Sequence, residues 1–405
     1  MRSSPITERK CSRPIRRIKV HKTDQSGKGG ARRSAAAQKR HLARLPPPPV
    51  RLSPTPKKTI KSTVVKNLET LRLPPSDDGI KTAAEIIKRG GLVGMPTETV
   101  YGLAADALNE EAVKKIFAAK GRPQDNPLIV HIANTEMLPP LISALPEKAR
   151  RCAERFWPGP FTMVLPKSDI IPSSVCAGLD TVAIRMPSCE EARKLIEFSG
   201  LPIAAPSANT SGAPSPTAAE HVLHDMDGRI DAVIMAEPCE VGVESTVVTF
   251  AVEPPRLLRP GGVTLEQLKE VIPDITVDPA VLEKISADRP VASPGMKYKH
   301  YSPKCTVTMV KGSTEDYCRY VNDRAGQGVC ALCFSEDEPL VKSESVTYGS
   351  RLHSEIQAAE LFDALRRLDE KGYKECYAHA PELNGVGLAV YNRLIRAAAF
   401  KVVVL

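Results

Sequence analysis

Residues 92–131 read LVGMPTETVYGLAADALNEEAVKKIFAAKGRPQDNPLIVH, and this stretch decides the class of fold. Residues 92–95 form a short apolar run, which is typical of a buried strand. Asn109 is a favourable N-cap for the helix with one apolar face that follows, and Gly121 is a favourable stop. Residues 127–132 then form a second apolar run. A strand, a helix and a strand in succession predict an α/β fold.

The same alternation continues along the chain. Further helices are predicted at residues 81–88, 146–157 and 190–198, and further strands at 161–165, 182–186, 202–205, 230–235 and 245–250. A second series follows, with strands at 305–310, 328–334 and 375–379 and helices at 314–323, 354–370 and 388–399. Between the two series, residues 274–304 are proline-rich and polar, as in a linker. We therefore predict a twisted mixed-sheet domain at 78–273, a linker at 274–304, and a smaller α/β domain at 305–405.

The net charge of +9 is distributed unevenly. Residues 1–60 hold 17 Lys or Arg and two acids, a balance of +15, so the remaining 345 residues carry 9 − 15 = −6. Residues 1–73 are predicted to be disordered, because few aromatic residues and a high charge leave little surface to bury. Organelle targeting, nonspecific RNA attraction, a polyproline ligand and a plain solvated extension are the alternatives for this segment.

Composition also indicates where in the cell the protein is expected. No run of about 18 apolar residues occurs, so we expect no membrane span, and the start lacks the apolar core of a secretory signal. The ten cysteines are scattered, which favours reduced thiols inside the cell. Cys330 and Cys333 are expected to be buried structural thiols, with a redox or metal site as the alternative. We expect a cytoplasmic protein, with mitochondrial import through the basic extension as the second option.

Two polar segments are candidates for chemistry. Residues 95–102 place hydroxyls and a carboxylate on a stiff loop after a strand, where α/β sheets bind ligands. Lys120 and Arg122 flank a glycine at a helix end, and two cations on such a fixed turn suit a polyphosphate. The sequence contains no P-loop, no Ser-centred G-x-S-x-G and no H-E-x-x-H. Alternatively, these cations belong to a solvated helix end, and His131 is a core histidine.

These segments carry a family resemblance. PTETVYGL at 96–103 and KGRPxxNPLIVH at 120–131 resemble the signature of the YrdC-like threonylcarbamoyl-adenylate synthases. Four later stretches agree with it: TVAIRMP at 181–187, APSANTSG at 205–212, EST at 244–246 and LRPG at 258–261. SPGMKYKHYSP at 293–303 resembles the linker of the two-domain branch. The resemblance covers roughly residues 77–405.

The resemblance implies a YrdC-like catalytic domain followed by a Rossmann-like domain, and it implies a nucleotidyltransferase. L-threonine, bicarbonate and ATP would yield threonylcarbamoyl-adenylate and pyrophosphate, with ATP as a substrate and Mg²⁺ as the usual companion. A tRNA-modifying threonylcarbamoyl transferase complex would receive the product and modify the adenosine beside the anticodon. Weak RNA binding is a further expectation, and no membrane partner is expected.

The matched positions also imply site residues. The L-threonine pocket would be lined by Thr99, His131, Arg185, Ala205 and Ser245. ATP would be held by Lys120, Arg122, Asn126, Thr181, Ser207, Ser215 and Arg259, and by Tyr298 or Tyr301 from the linker, which would act as a lid. Lys120, Arg122 and His131 are the candidates for catalysis, and no residue is assigned to a metal.

Two other functions compete with this interpretation. A non-catalytic double-stranded RNA or tRNA-binding module would explain the basic extension, but it would not need Lys, Arg and Asn held beside Ser and Thr hydroxyls. A carbamoyl-transfer maturation enzyme would carry zinc-finger and acylphosphatase-like segments, which this sequence lacks.

Overall fold

The computed structural model describes residues 69–283 and 301–405. The predictions for residues 1–68 and for the linker segment that includes Tyr298 lie outside the described residues. All described residues belong to one compact unit. Leu71–Leu73, expected in the disordered extension, instead pair with a strand of the first sheet, so organised structure begins before the predicted boundary at residue 73.

The elements alternate as the sequence predicts. The strands are β1 (Leu71–Leu73), β2 (Val93–Met95), β3 (Gly102–Asp106), β4 (Ile129–His131), β5 (Phe161–Pro166), β6 (Thr181–Arg185), β7 (Ile203–Ala204), β8 (Ala232–Ile234), β9 (Thr246–Thr249), β10 (Arg256–Arg259), β11 (Thr276–Val277), β12 (Thr306–Lys311), β13 (Val329–Cys333), β14 (Glu344–Thr347), β15 (Glu375–His379) and β16 (Val402–Val404). The α-helices are α1 (Asp77–Lys88), α2 (Glu110–Lys120), α3 (Glu147–Phe156), α4 (Ser173–Cys176), α5 (Glu190–Ser199), α6 (Ala219–Met226), α7 (Leu265–Val271), α8 (Thr314–Asn322), α9 (Ser354–Glu370) and α10 (Gly387–Ala397).

The first sheet has the strand order β1-β8-β2-β3-β7-β4-β6-β5-β9-β10-β11. Parallel pairs such as β4–β6 alternate with antiparallel pairs such as β5–β6, so the predicted mixed sheet is confirmed. The second sheet has the order β14-β13-β15-β12-β16, and its pairs are all parallel. The predicted α/β class is therefore confirmed, while the predicted domain boundaries other than the one at residue 73 stay a prediction.

Helix α2 shows why the local sequence folds as it does. The Asn109 side chain accepts hydrogen bonds from the backbone N–H groups of Glu111 and Ala112, which would otherwise lack helical partners. At the other end Gly121 adopts φ 61°, a left-handed conformation that L side chains rarely take. Both caps were predicted from the sequence and are confirmed. Together they determine where the chain turns towards Arg122.

Alternating residues along the strands face two different cores. Leu103 belongs to the core beneath α2 and α3, whereas Ala104 belongs to the core beneath α1 and α5. On the second face the core continues as a small cluster that contains Ile129 and Ala183. This part of the sheet face is where a cavity opens.

The second sheet has its own buried centre. Within it the His379 imidazole Nδ1 lies 2.6 Å from the Asp337 carboxylate, and both side chains are fully buried. Cys330 and Cys333 are buried in β13, and the described residues contain no cluster of His, Cys, Asp and Glu that could hold a metal ion. This supports their interpretation as structural thiols. Among the described helices, none has the length and apolarity needed to cross a bilayer.

Candidate functional site

The candidate site is a cavity on one face of the first sheet. Ile129 and His131 both line it, and because they are two residues apart in β4 their side chains point to the same face. The cavity therefore runs along the sheet face rather than lying only beyond a strand end. Its lining is formed by Thr97, Thr99, Val100, Gly102, Arg122, Ile129, His131, Arg185, Ala205, Pro206, Ser207, Asn209, Ser215, Glu244, Ser245, Arg259 and Tyr301.

One part of the lining is organised around Arg185. Its Nη1 donates to the Thr99 hydroxyl at 2.8 Å, and its Nη2 lies 2.8 Å from Glu98 Oε1. Both charged side chains are buried. Burial raises the pKa of Glu98, but the neighbouring guanidinium outweighs this effect and the pKa lies below its usual value. Glu98 is therefore ionised, and it holds Arg185 in place with Thr99.

His131 lies beside this pair. It is the β4 residue that pairs with Arg185 of β6, and its side chain is 2% exposed. Burial and the nearby positive charge of Arg185 lower the pKa of His131 to about 3, so the ring is neutral at physiological pH. Its Nδ1 is buried and has no hydrogen-bond partner among the described residues. A neutral ring with an unsatisfied nitrogen is suited to a hydrogen bond with a bound ligand.

Ser245 and Arg259 form the next part of the lining. The Ser245 hydroxyl lies 2.8 Å from that of Thr162, and Arg259 Nη2 donates to it at 3.2 Å. Arg259 Nε also donates to the Ser245 carbonyl at 3.0 Å. Burial lowers the pKa of Arg259 to about 10, which still leaves the guanidinium protonated at neutral pH. The segment before β9 and the end of β10 are thus tied together at the cavity wall.

Glu244 is a second buried carboxylate in the lining. It accepts a hydrogen bond from the Ser215 hydroxyl at 2.5 Å and one from Arg393 Nε at 2.9 Å. Burial raises its pKa, but Arg393 and Arg259 outweigh burial and the pKa lies below its usual value. Glu244 is therefore an ionised, hydrogen-bonded side chain that connects Ser215 to α10.

Another part of the lining lies just beyond the end of α2. Arg122 is half-buried, and its Nη2 donates to the backbone carbonyls of Asn126 and Pro127 at 3.2 and 3.1 Å. The Lys120 ammonium donates to the carbonyls of Ser207 and Asn209. Burial, followed by the charge of Arg122, places the pKa of Lys120 well below its ordinary value.

Tyr301 closes the cavity from the linker side. It is buried, adopts φ 61° and packs against the Phe362 ring of α9 with a centroid distance of 5.1 Å. The next residue, Ser302, donates its backbone N–H to the Gly212 carbonyl at 3.0 Å. The end of the linker is thus fastened to the loop that follows β7.

Comparison with known proteins gives consistent matches. A profile of the Sua5/YciO/YrdC family, described as telomere recombination, matches residues 85–261, and one described as the C-terminal domain of threonylcarbamoyl-AMP synthase matches residues 263–399. The threonylcarbamoyl-AMP synthase of Pyrococcus abyssi is 48% identical over 332 residues, which are 80% of this chain and 95% of that protein. The chain belongs to the threonylcarbamoyl-AMP synthase family.

Two further family members agree with this assignment. The threonylcarbamoyl-AMP synthase of Bacillus subtilis is 47% identical over 338 residues, which are 82% of this chain and 97% of that protein. A crystal structure of Pyrococcus abyssi Sua5 complexed with L-threonine superposes with a TM-score of 0.77 at 43% identity, covering 83% of this chain and 99% of that one. The family resemblance read from the sequence motifs is confirmed.

The structure brings most of the predicted site residues together. The cavity is lined by Thr99, Arg122, His131, Arg185, Ala205, Ser207, Ser215, Ser245, Arg259 and Tyr301. Three predicted residues, Lys120, Asn126 and Thr181, do not line it in this family member, and Tyr298 lies outside the described residues. Because no ligand is bound, each residue's role stays a prediction.

Other lining residues were not predicted as ligands. Thr97 and Asn209 belong to the recognised motifs, but the resemblance implied no role for them. The Asn209 Oδ1 accepts a hydrogen bond from the Ser207 hydroxyl at 2.6 Å, which orients a predicted ATP residue. Glu244 belongs to the EST motif at 244–246, but the resemblance implied no role for it. Its neighbour Ser245 was the stronger signal, and the partner that explains Glu244 lies 149 residues further along the chain.

Proposed function

We propose that the protein is an L-threonylcarbamoyladenylate synthase: it forms threonylcarbamoyl-AMP and pyrophosphate from L-threonine, bicarbonate and ATP. The observation that carries the proposal is one cavity whose lining includes two arginines with different partners, Arg185 beside Glu98 and Arg122 beside the carbonyls of Asn126 and Pro127. A reaction that joins a carboxylate-bearing amino acid to a triphosphate needs such a pair, because both substrates bring negative charge. A non-catalytic RNA-binding module does not need buried arginine and hydroxyl side chains that line one cavity.

The Arg185 part of the lining is suited to L-threonine. We propose that the guanidinium binds the substrate carboxylate, because its planar fork matches two carboxylate oxygens. Glu98 and Thr99 already hold the side chain in position, so little order has to be gained on binding. Ser245 and Ala205 form the rest of this pocket in the proposal, with one hydroxyl and one small apolar contact.

His131 is better suited to substrate recognition than to general base catalysis. A base with a pKa of about 3 is almost entirely neutral at pH 7, but it accepts protons weakly. Its unsatisfied Nδ1 can instead form a hydrogen bond with a polar group of threonine. We therefore refine the candidate catalytic role of His131 to one of positioning and selecting the substrate.

The Arg122 part of the lining is suited to ATP. Arg122, Ser207, Ser215, Arg259 and Tyr301 all line the cavity. In the proposed reaction the amine of threonine adds to CO₂ and loses a proton, or displaces water from bicarbonate, and either route gives the carbamate. A carbamate oxygen then attacks the α-phosphorus while pyrophosphate leaves. The arginines neutralise the charge that moves onto pyrophosphate, and the cavity keeps water from the adenylate.

Lys120 has a supporting position in this proposal. Its ammonium is directed at two backbone carbonyls of the loop that carries Ser207, so it fastens that loop to α2. A direct contact with phosphate would require the side chain to leave these carbonyls. The predicted catalytic contact of Lys120 is therefore proposed only for a rearranged, ATP-bound site.

Magnesium enters the proposal only with ATP. A resident Mg²⁺ prefers carboxylate oxygens that are free to bind it, together with substrate phosphates. Glu244 lines the cavity, but its oxygens already accept hydrogen bonds from Ser215 and Arg393. The described residues also include no cluster of three metal-binding side chains. The residues therefore do not fit a resident metal ion, and no step is assigned to one.

The product would need a recipient, because an acyl adenylate hydrolyses readily in water. We propose that it passes to a threonylcarbamoyl transferase complex that modifies tRNA beside the anticodon. The family to which the chain belongs supports this part of the proposal.

A mass spectrum of the product tests the function. Purified protein is incubated with L-threonine, ¹³C-bicarbonate and ATP, and the nucleotide fraction is analysed at once. We expect threonylcarbamoyl-AMP that is heavier by one mass unit than the unlabelled product. AMP without an attached threonylcarbamoyl group, formed equally without threonine, would contradict the proposal.

A further inference from the structure

Arg393 of α10 reaches from the second sheet into the wall of the cavity. Its side chain is fully buried. Nε donates to Glu244 Oε2 at 2.9 Å, and Nη2 donates to the Glu244 carbonyl at 3.1 Å. Nη1 donates to the Pro260 carbonyl. One guanidinium thus holds both the segment before β9 and the segment after β10.

These two segments carry predicted substrate residues. Glu244 immediately precedes Ser245 of the proposed threonine pocket, and its Oε1 holds the hydroxyl of Ser215 in the proposed ATP site. Pro260 immediately follows Arg259, which lines the same cavity. Arg393 does not line the cavity itself, so it acts on substrates only through its neighbours.

A second arginine supports the same loop from α9. Arg366 forms a two-pronged pair with Asp225, with both N–O distances at 3.1 Å, and it donates to the Pro214 carbonyl at 2.6 Å. Asp225 in turn accepts from the backbone N–H of Thr210 at 3.1 Å. Arg366 therefore holds the loop that leads into Ser215 at two points, at Pro214 directly and at Thr210 through Asp225.

We propose that Arg393 is a positioning residue for both substrates, and that through it the second sheet completes the active site. The inference rests on the proposed function, since it assigns Ser215 and Ser245 to substrates. Without Arg393, buried Glu244 would lose its hydrogen-bonded cation and keep only the nearby charge of Arg259, so it would move or draw in water, and the Ser215 hydroxyl would lose its fixed acceptor. Arg393 donates from three nitrogens to the Glu244 carboxylate, the Glu244 carbonyl and the Pro260 carbonyl. Only the planar guanidinium group can hold these three hydrogen bonds in this geometry.

The test is a comparison of Arg393→Lys with Arg396→Lys. Lysine keeps the positive charge beside Glu244, but it cannot also reach the Pro260 carbonyl in the same geometry. Arg396 lies one helical turn further along α10, is also buried, and donates to the Ala280 carbonyl instead of to the Glu244 segment. It is therefore a matched control for replacing a buried arginine between the two sheets.

Titration calorimetry with L-threonine and with ATP supplies the readout. For Arg393→Lys we expect both Kd values to rise about tenfold or more, a typical coupling for groups in one hydrogen-bond network, with the stoichiometry unchanged. Arg396→Lys should bind L-threonine as the wild type does, because Arg396 makes no hydrogen bond to the Glu244 segment among the described residues. A merely structural role would lower the fraction of binding-competent protein and leave Kd unaltered.

Unaltered Kd values in Arg393→Lys would overturn the inference, as would equal losses of L-threonine affinity in both variants. Because a buried arginine can be needed for folding, Arg393→Gln is made as well, since it keeps one donor towards Glu244. Failure of both Arg393 variants to fold would also count against positioning. Wild-type protein that binds threonine but forms no product would contradict the proposed function and leave the binding comparison intact.

Discussion

In the proposal Arg185 binds L-threonine and Arg122 binds ATP, and each side chain is held by a different set of partners. Arg185 is oriented by Glu98 and Thr99, whereas Arg122 is oriented by backbone carbonyls of the loop between α2 and β4. Because the two sets do not overlap, the two arginines should respond to substitution independently. This separation can be tested one residue at a time.

Arg185→Lys should weaken L-threonine binding, and Arg122→Ala should weaken ATP binding. Lysine retains the charge that Glu98 needs but loses the fork that matches a carboxylate. The expected loss is about tenfold to a hundredfold in Kd, the value of a hydrogen bond to a charged group. Each variant is the control for the other, and calorimetry with each ligand gives four Kd values. Equal losses for both ligands in either variant would contradict the assignment.

His131 predicts a pH dependence of stability. Its pKa is about 3 in the folded protein and 6.5 when unperturbed, so between these values the unfolded chain binds more protons. The contribution of the buried neutral ring to the free energy of unfolding is complete above about pH 6.5 and is lost as the pH falls towards 3. Relative to His131→Gln, the wild type should lose about 2 kcal/mol in the free energy of unfolding between pH 7.5 and pH 5. Urea titrations at both pH values measure the difference, and a pH-independent difference would show that His131 is not buried as a neutral ring.

Most cavity residues could be predicted because they belong to recognised motifs. Their residue types and positions along the chain did not by themselves indicate that they lie together. Thr99, Arg185 and Ser245 are in short segments whose spacing along the chain does not reveal that they meet. Lys120 is the clearest example of what the sequence cannot indicate. A lysine at a helix end beside Arg122 predicts a contact with phosphate. Only the fold shows that two backbone carbonyls lie close enough to receive its ammonium.

At the scale of elements, the ends of helices were easier to predict than short strands. The caps at Asn109 and Gly121 are local, so composition alone indicates them. Strands β3, β14 and β16 escaped prediction because pairing with distant segments stabilises them more than their own sequence does. The same reason explains why the assignment of Leu71–Leu73 to the extension was wrong.

The turn after α2 offers a test of element and site together. Gly121 and Gly200 both end helices with φ near 60–70° (61° and 68°), and an added Cβ would meet no atom within 4 Å at either position. Each change to alanine should therefore cost about 1 kcal/mol of stability. Gly121→Ala should also raise the Kd for ATP because Arg122 follows it directly. Gly200→Ala is the control for backbone strain alone. Identical ATP affinity in both variants would show that the turn at Gly121 does not position Arg122 for ATP.

For the whole molecule, the feature that matters most is the close approach of the two sheets beside the cavity. Val100 and Val243 from the first sheet's loops pack in the same cluster as Phe362 of α9. Glu244 and Arg393 lie under this contact. Nothing in the sequence indicates that they meet, because neither belongs to an amphipathic pattern or a phosphate motif. This part of the site could be found only from the fold.

Gly242→Ala tests that contact. A Cβ at Gly242 would lie 2.3 Å from the Cα of Ala359 in α9, a backbone clash that side-chain movement cannot relieve. Gly200→Ala is again the matched control, since its φ of 68° is close to the 72° of Gly242 but it has open space. We expect Gly242→Ala to lose more stability than the control and to bind both substrates more weakly. Thermal unfolding and calorimetry that give the same values for the two variants would show that the contact does not support the site.

The central claim is that one cavity joins three substrates, and the stoichiometry of the products tests it most directly. Threonylcarbamoyl-AMP and pyrophosphate are measured in the same reaction, and then again with L-threonine, bicarbonate or ATP left out. The account predicts equal amounts of the two products in the full mixture and neither product in any of the three omissions. Pyrophosphate released from ATP at the same rate without L-threonine would contradict it.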